Sequence, residues 1–479
     1  MMRYLLAVGL AFGAVSLIDM AAPAQAAAAT YYVDGSCSAN GNGTGDGCAS
    51  AAGGSGAWRD PATCFANVRA GDTCYIKNGT YYTSSQGSDT SENGGFSVAA
   101  SGTSGSPIVI RNYPGHTPML ANCATNSTSY SQCARPTITM PNRSYVTFQG
   151  LRIHGGVWIY GASPVVGQGS PGIVIKDNEI TQGWGEVDDG NWAALFLENL
   201  QGALIQNNYI HNVSVLSGGG QQSSGSCVKL YQNTDTIVEL NTCRTVPIAE
   251  SQAGGIDDKA QAVRNVHRYN WIQDVNVCVR INNQLVSTGV QIYGNVCIGS
   301  AGTDRPGVRL IVDVNGIDIH NNTFIGFGQG LQVMSEGGPV TGVKWYNNIV
   351  STVSGANIEA YQVSMTAPSN YNAYVPNHRF LYGGSDSSNL AAFRSATGFD
   401  ANGAEVDCQL VAPTYNLASG SACRGAGRVG GTSSGAAIDR GAYGVTSCVG
   451  QNCAPPTGGG GGGTPTAPGA PTGVRIVSN

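Results

Sequence analysis

Between residues 143 and 352 the apolar and polar positions follow a recurring unit. An apolar residue, any residue and a second apolar residue are followed by a polar pair ending in asparagine and then by another apolar residue. Ile173-Val174-Ile175-Lys176-Asp177-Asn178 and Ile317-Asp318-Ile319-His320-Asn321-Asn322 are two copies. The asparagines fall at 178, 208, 241, 270, 295, 322 and 348, so successive steps are 30, 33, 29, 25, 27 and 26. Such steps are too long for one hairpin and too short for a propeller blade. Strict alternation predicts strands, and a stacked asparagine at every step predicts one solenoid coil per step.

Each coil carries a second strand that aligns between successive asparagines. The aligned segments are Leu195-Phe196-Leu197-Glu198, Val228-Lys229-Leu230-Tyr231, Ile256-Asp257-Asp258-Lys259, Val279-Arg280-Ile281-Asn282, Val308-Arg309-Leu310-Ile311 and Leu331-Gln332-Val333-Met334. Alternation sends the first and third members inward, where they are apolar in every case but Asp258. This pattern predicts an all-β parallel β-helix whose asparagines stack as an internal hydrogen-bonded ladder, a structural role rather than a catalytic one.

The outward members carry the chemistry. One column reads Phe196, Lys229, Asp257, Arg280, Arg309, Gln332, and the other Glu198, Tyr231, Lys259, Asn282, Ile311, Met334. Neighbouring strands stand about 4.8 Å apart, so Lys229, Asp257, Lys259, Arg280 and Arg309 form one patch. Two of the chain's five lysines lie in it, although only 11% of residues are charged. A mutually neutralising, solvated sheet face is the plainer reading of the same residues. Asp258, pointing inward, must be protonated, paired or metal-bound, unless a local bulge turns it outward. In the long loop before the patch, Glu186, Asp188 and Asp189 offer hard oxygens for calcium; a polar turn explains them equally well.

Composition narrows the class. A net charge of −5 provides no basic face for nucleic acid or an anionic membrane. Arg3, the apolar run from Leu5 to Ile18 and Ala24-Gln25-Ala26 read as a secretory signal over residues 1–26, and no segment reads as transmembrane. Fourteen cysteines agree with an oxidising, extracellular destination, a periplasmic or cell-surface one included. Local pairing is expected for Cys37/Cys48, Cys64/Cys74, Cys123/Cys133, Cys408/Cys423 and Cys448/Cys453. Residues 27–141 form an entry region without an amphipathic helix, 142–352 the regular coils, 353–453 the last coils and a cap, and 454–479 a Pro/Gly-rich linker and tail. A monomer is expected. The six histidines lack metal spacing and read as structural.

Tyr31-Tyr32-Val33-Asp34-Gly35, the segment from Gly71-Asp72-Thr73 to Gly79-Thr80-Tyr81, and Gly105-Ser106-Pro107-Ile108-Val109-Ile110 resemble the usual entry of the secreted right-handed parallel β-helix superfamily of pectate-lyase type. With the coils, the resemblance covers nearly all of residues 30–453. Two polysaccharide lyase families within it are similar to this chain. Family 9 has an Asp-Asp-Gly calcium cluster followed one coil later by a lysine base, as in Asp188-Asp189-Gly190 and Val228-Lys229-Leu230; Trp192 stands where its later aspartate would be. Family 6 pairs a lysine with an arginine one coil on, as Lys259 and Arg280 stand, with Gln252 and Gly254 in place of its calcium-binding glutamates. The resemblance implies an acidic polysaccharide substrate, β-elimination by Lys229 or Lys259 with Arg280 and Asp257, and calcium held by Glu186, Asp188, Asp189 and Asp258. Arg309, Tyr231, Asn282 and Glu198 would contact substrate, with Trp184 and Trp192 as further aromatic candidates. An inverting hydrolase of polygalacturonase type, using Asp235 with Asp257 and Asp258, is the rival enzyme, and a non-catalytic glycan-binding protein the third reading.

Overall fold

The computed structural model describes residues 27–83, 95–123, 136–183, 193–213, 225–245, 254–283, 285–300, 305–311, 313–334, 338–351, 355–361, 363–446 and 449–450. The signal segment and the linker lie outside these residues, as do Glu186, Asp188, Asp189, Trp184 and Trp192.

Among the described residues three long sheets run side by side, two of 12 strands and one of 11. Apart from the antiparallel end pair Arg379–Tyr382 and Ser385–Ser387, the strands pair in parallel with the strand one coil later, which no hairpin can do, so the chain must circle between successive strands. One turn runs from Val266–Arg268 in the first sheet to Trp271–Val275 in the second and Val277–Asn283 in the third. The next strand, Ser287–Tyr293, returns to the first sheet beside Val266–Arg268. The fold is therefore a parallel β-helix, and its core is one continuous apolar column built from inward residues such as Ile205, Val238, Leu230 and Ile281.

The asparagine ladder explains how the bends repeat. The residue before each ladder asparagine (Asp177, Asn207, Leu240, Tyr269, Gly294, Asn321, Asn347) is left-handed, which turns the chain sharply and sends the asparagine inward. The backbone N–H and Nδ2 of each asparagine donate to Oδ1 of the next at 2.9–3.2 Å. Buried polar groups that would cost stability unpaired are thereby satisfied coil after coil.

The coils extend beyond the regular repeat at both ends. Thr30–Val33, Thr73–Ile76 and Ile108–Asn112 already belong to the first sheet. At the other end the ladder continues from Asn348 to Asn372 and ends on Asp400, whose carboxylate accepts from Asn372 N–H and Nδ2 at 3.1 and 2.9 Å. The helix Leu390–Thr397 lies in the last of these steps. The steps of 24 and 28 residues keep the coil length, but Ala367-Pro368-Ser369-Asn370 replaces the apolar lead-in and an aspartate replaces the last asparagine, which hides the continuation from a sequence repeat. A second helix, Pro61–Asn67, starts at the cap Asp60 and buries Cys64 and Phe65 at the entry end. Two turns are too short to show a helical period, so neither helix is legible as an amphipathic stretch.

Disulfides join Cys37–Cys48, Cys64–Cys74 and Cys408–Cys423, as local pairing predicts. Cys227–Cys243 and Cys278–Cys297 are additional, each fastening a strand of the third sheet to one of the second. The expected pairs Cys123/Cys133 and Cys448/Cys453 involve residues outside those described, although Cys123 is itself disulfide-bonded.

A buried charge cluster on the third sheet

The register of the third sheet is the one that alternation predicts. Lys229 pairs with Asp257, Asp257 with Arg280 and Arg280 with Arg309, while Tyr231, Lys259, Asn282 and Ile311 form the adjoining row. Alternation on four neighbouring strands thus gathers five charged side chains from 81 residues of sequence, 229–309, onto one outer face.

The sequence did not reveal how deeply one column lies. Lys229 and Asp257 are 0% exposed, Arg280 3% and Arg309 4%. Lys259, Tyr231, Asn282 and Glu198 are half-buried, so the accessible edge is the row one step beyond. Asp257 anchors the cluster: Arg280 donates to both its oxygens, Nε to Oδ1 at 2.8 Å and Nη2 to Oδ2 at 2.5 Å, and Lys229 Nζ stands 3.5 Å from Oδ2. Arg309 donates from Nε to Gln332 Oε1 at 2.6 Å, continuing the column. Towards the entry end the same face becomes aromatic, with Trp158 stacked on Phe196 at 6.4 Å between centroids and Tyr160 and Tyr231 against them.

Burial sets the electrostatics. Lys229 is brought down to about 7, chiefly by desolvation; Asp257 opposes the change, while Lys259 and Arg280 add to it. Burial works to raise the Asp257 carboxyl, but Arg280 and Lys229 outweigh it and hold the group well below the ordinary carboxylate range. The result is a fixed anion and fixed guanidinium beside an amine that sheds its proton near neutrality.

Asp258 points inward and is 0% exposed, so the bulge that would turn it outward does not form. Its Oδ2 accepts from Asn265 Nδ2 at 2.9 Å and lies 3.0 Å from Nε2 of the equally buried His267. The paired state resolves the buried carboxylate, and burial raises its pKa. His267 was missed, yet a signal existed: it occupies an inward position that is Val238 one coil earlier and Ile292 one coil later.

This geometry corrects the hydrolase expectation and takes Asp258 out of the expected calcium ligands. Asp257 and Asp258 face opposite sides of their strand, so they do not form the paired carboxylates of a hydrolase. Asn233 is a buried turn residue bound to Leu200 N–H and Leu197 C=O, and Asp235 is held by Arg264 at 2.6 and 2.7 Å. Of the expected calcium ligands only Asp258 falls among the described residues. Asp258 lies inside the coil, away from any ligand on the outer face, and Asp257 is occupied by two cations. The single three-group cluster among the described residues, Asp34 with Cys37 and Cys48, has its sulfurs in a disulfide. The expected ligands Glu186, Asp188 and Asp189 lie outside the described residues.

No protein-family model and no curated protein matches the chain. Its fold is similar to solved structures that include pectate lyase Pel9A (16% identical over 86% of this chain and 95% of that one, TM-score 0.47). A rhamnogalacturonan lyase is 14% identical over 72% and 87%, with a TM-score of 0.46, and XylC with xylose 10% identical over 80% and 87%, with a TM-score of 0.45. At these identities the likeness concerns the fold and assigns no activity. Among the described residues no helix is long and apolar enough to cross a membrane.

Proposed function

We propose that this chain is a polysaccharide-active β-helix protein, a lyase that cleaves a uronic-acid-containing polysaccharide by β-elimination with Lys229 as base. The observation that carries the reading is a fully buried lysine whose pKa falls to about 7 next to two further cations. An elimination base must be neutral at working pH, and the proton it removes is acidified when the adjoining carboxylate is neutralised. Lys259, half-buried at the accessible edge, meets the substrate carboxylate, with the Arg280 guanidinium behind it. The neutral Lys229 amine then takes the proton on the carbon α to that carboxylate. The released electron pair forms the carbon–carbon double bond, the glycosidic bond at the β-carbon breaks, and the departing oxygen takes a proton from solvent. Because Lys229 is enclosed in the free protein, bound substrate must uncover Nζ. No step is routed through calcium.

The same burial favours a second reading. An enclosed Lys229–Asp257–Arg280 network can simply stiffen the coils of a non-catalytic glycan-binding protein. Purified protein incubated with pectate, alginate and glycosaminoglycans separates the two. Unsaturated uronide, read by its ultraviolet absorbance, supports the lyase. Glycan binding without unsaturated product or new chain ends supports the binding protein and refutes the lyase.

A further inference from the structure

Among the strands of its sheet from Ala193–Glu198 to Gln329–Met334, Gly254–Ala260 has the weakest apolar inward face. The strands beside it place Val228 and Leu230, or Val279 and Ile281, inward, whereas this one offers only Ile256 before Asp258. A strand's facing is fixed by which side chains the core accepts, so one apolar residue beside an Asp-Asp pair leaves it under-specified. The ready alternative is a bulge that sends Asp258 outward beside Asp257, which would reverse the facing of the next residue, Lys259.

Two residues of the following turn and strand oppose that alternative. Asn265 and His267 are both 0% exposed and both converge on Asp258 Oδ2, at 2.9 and 3.0 Å. His267 sits in an inward column that is otherwise Ile205, Val238, Ile292 and Ile319. Two polar exceptions to the apolar core therefore occur in the same coil, in contact, directly behind the charge cluster. Among the described residues Asp258 Oδ1 and His267 Nδ1 have no hydrogen-bond partner, so the contact through Asp258 Oδ2 is what pairs the two side chains.

We infer that His267, with Asn265, is a positioning residue. It gives Asp258 an inward partner and thereby fixes the facing of Gly254–Ala260, so that Asp257 and Lys259 both emerge on the outer face. The device is a register pin of the kind that single buried polar residues supply in other repetitive folds. That Lys259 meets a substrate carboxylate rests on the lyase reading; the facing of the strand does not.

The test therefore uses no substrate. Lysine acylation of the folded full-length chain, mapped by mass spectrometry, reports the reactivity of Lys259 relative to Lys176, a part-exposed lysine on another sheet. In His267→Leu, Lys259 reactivity should fall severalfold while Lys176 is unchanged; general loosening would instead raise both. In the double variant Asp258→Leu/His267→Leu, an apolar inward residue sets the same facing, and Lys259 should return to its wild-type reactivity. A folded His267→Leu protein with unchanged Lys259 reactivity overturns the inference. Should that variant not fold, the double variant decides: wild-type Lys259 reactivity upholds the inference, and altered reactivity in a folded protein overturns it. Loss of lyase activity on every substrate would sink the proposed function and leave this result standing.

Discussion

If Lys229 is the base, the pH dependence of product formation must report its burial. The ordinary lysine value is 10.5, and in this protein it is about 7. That displacement corresponds to roughly 5 kcal/mol of preference for the neutral amine. At pH 7 about half of the enzyme then carries a neutral Lys229, on the order of a thousandfold more than an unperturbed lysine would give. The initial rate of unsaturated product should therefore climb about tenfold per pH unit below 7 and level off above about 8. Lys229→Met, similar in length but without the amine, should abolish the rate at every pH. The same displacement has a signature in stability. Between pH 7 and 10.5 the unfolded chain holds a proton that the folded chain has lost, so unfolding free energy rises with pH across that window, and Lys229→Met removes the slope. Rates are read by ultraviolet absorbance, stability by urea denaturation. A rate still rising tenfold per unit above about pH 9, or a Lys229→Met protein that keeps its activity, would refute Lys229 as a base with a lowered pKa.

Asp257 runs the other way: its carboxylate contributes stability above the ordinary aspartate range that is lost as pH falls through its lowered pKa, so Asp257→Asn should flatten the acid limb of the urea midpoint against pH. Removing the middle of the ladder with Asn270→Ala takes the acceptor from Asn241 N–H and the side-chain donor from the Val238 carbonyl, while Asn241 Nδ2 keeps the Ile205 and Glu239 carbonyls, a loss of about 3 kcal/mol by denaturant titration. Asp400→Asn places an amide NH2 among donors from Asn372 and Tyr374, which should cost about 1–3 kcal/mol in the same assay. Replacing Cys278 and Cys297, which close a loop of sequence separation 19, should cost about 3 kcal/mol.

The sequence by itself determined the coil, the ladder and the register of the third sheet. Side-chain facing in a strand has period two and the bend repeats with its asparagine, so local pattern propagates to the whole stack. The outward charges Lys229, Asp257, Lys259, Arg280 and Arg309 were legible for that reason, before any contact was known. The extension of the ladder to Asn372 and Asp400 was not, because Ala367-Pro368-Ser369-Asn370 lacks the unit's apolar lead-in and an aspartate takes the place of the last asparagine. Only the tertiary structure decided which outward column is enclosed and which is half-open. That depends on what packs over a sheet face from elsewhere in the chain, which alternation does not encode. It also decided the fate of Asp258. A carboxylate in the core needs a partner, and that partner, His267, comes from a different sheet of the same coil, where closing the turn brings the two within hydrogen-bonding distance.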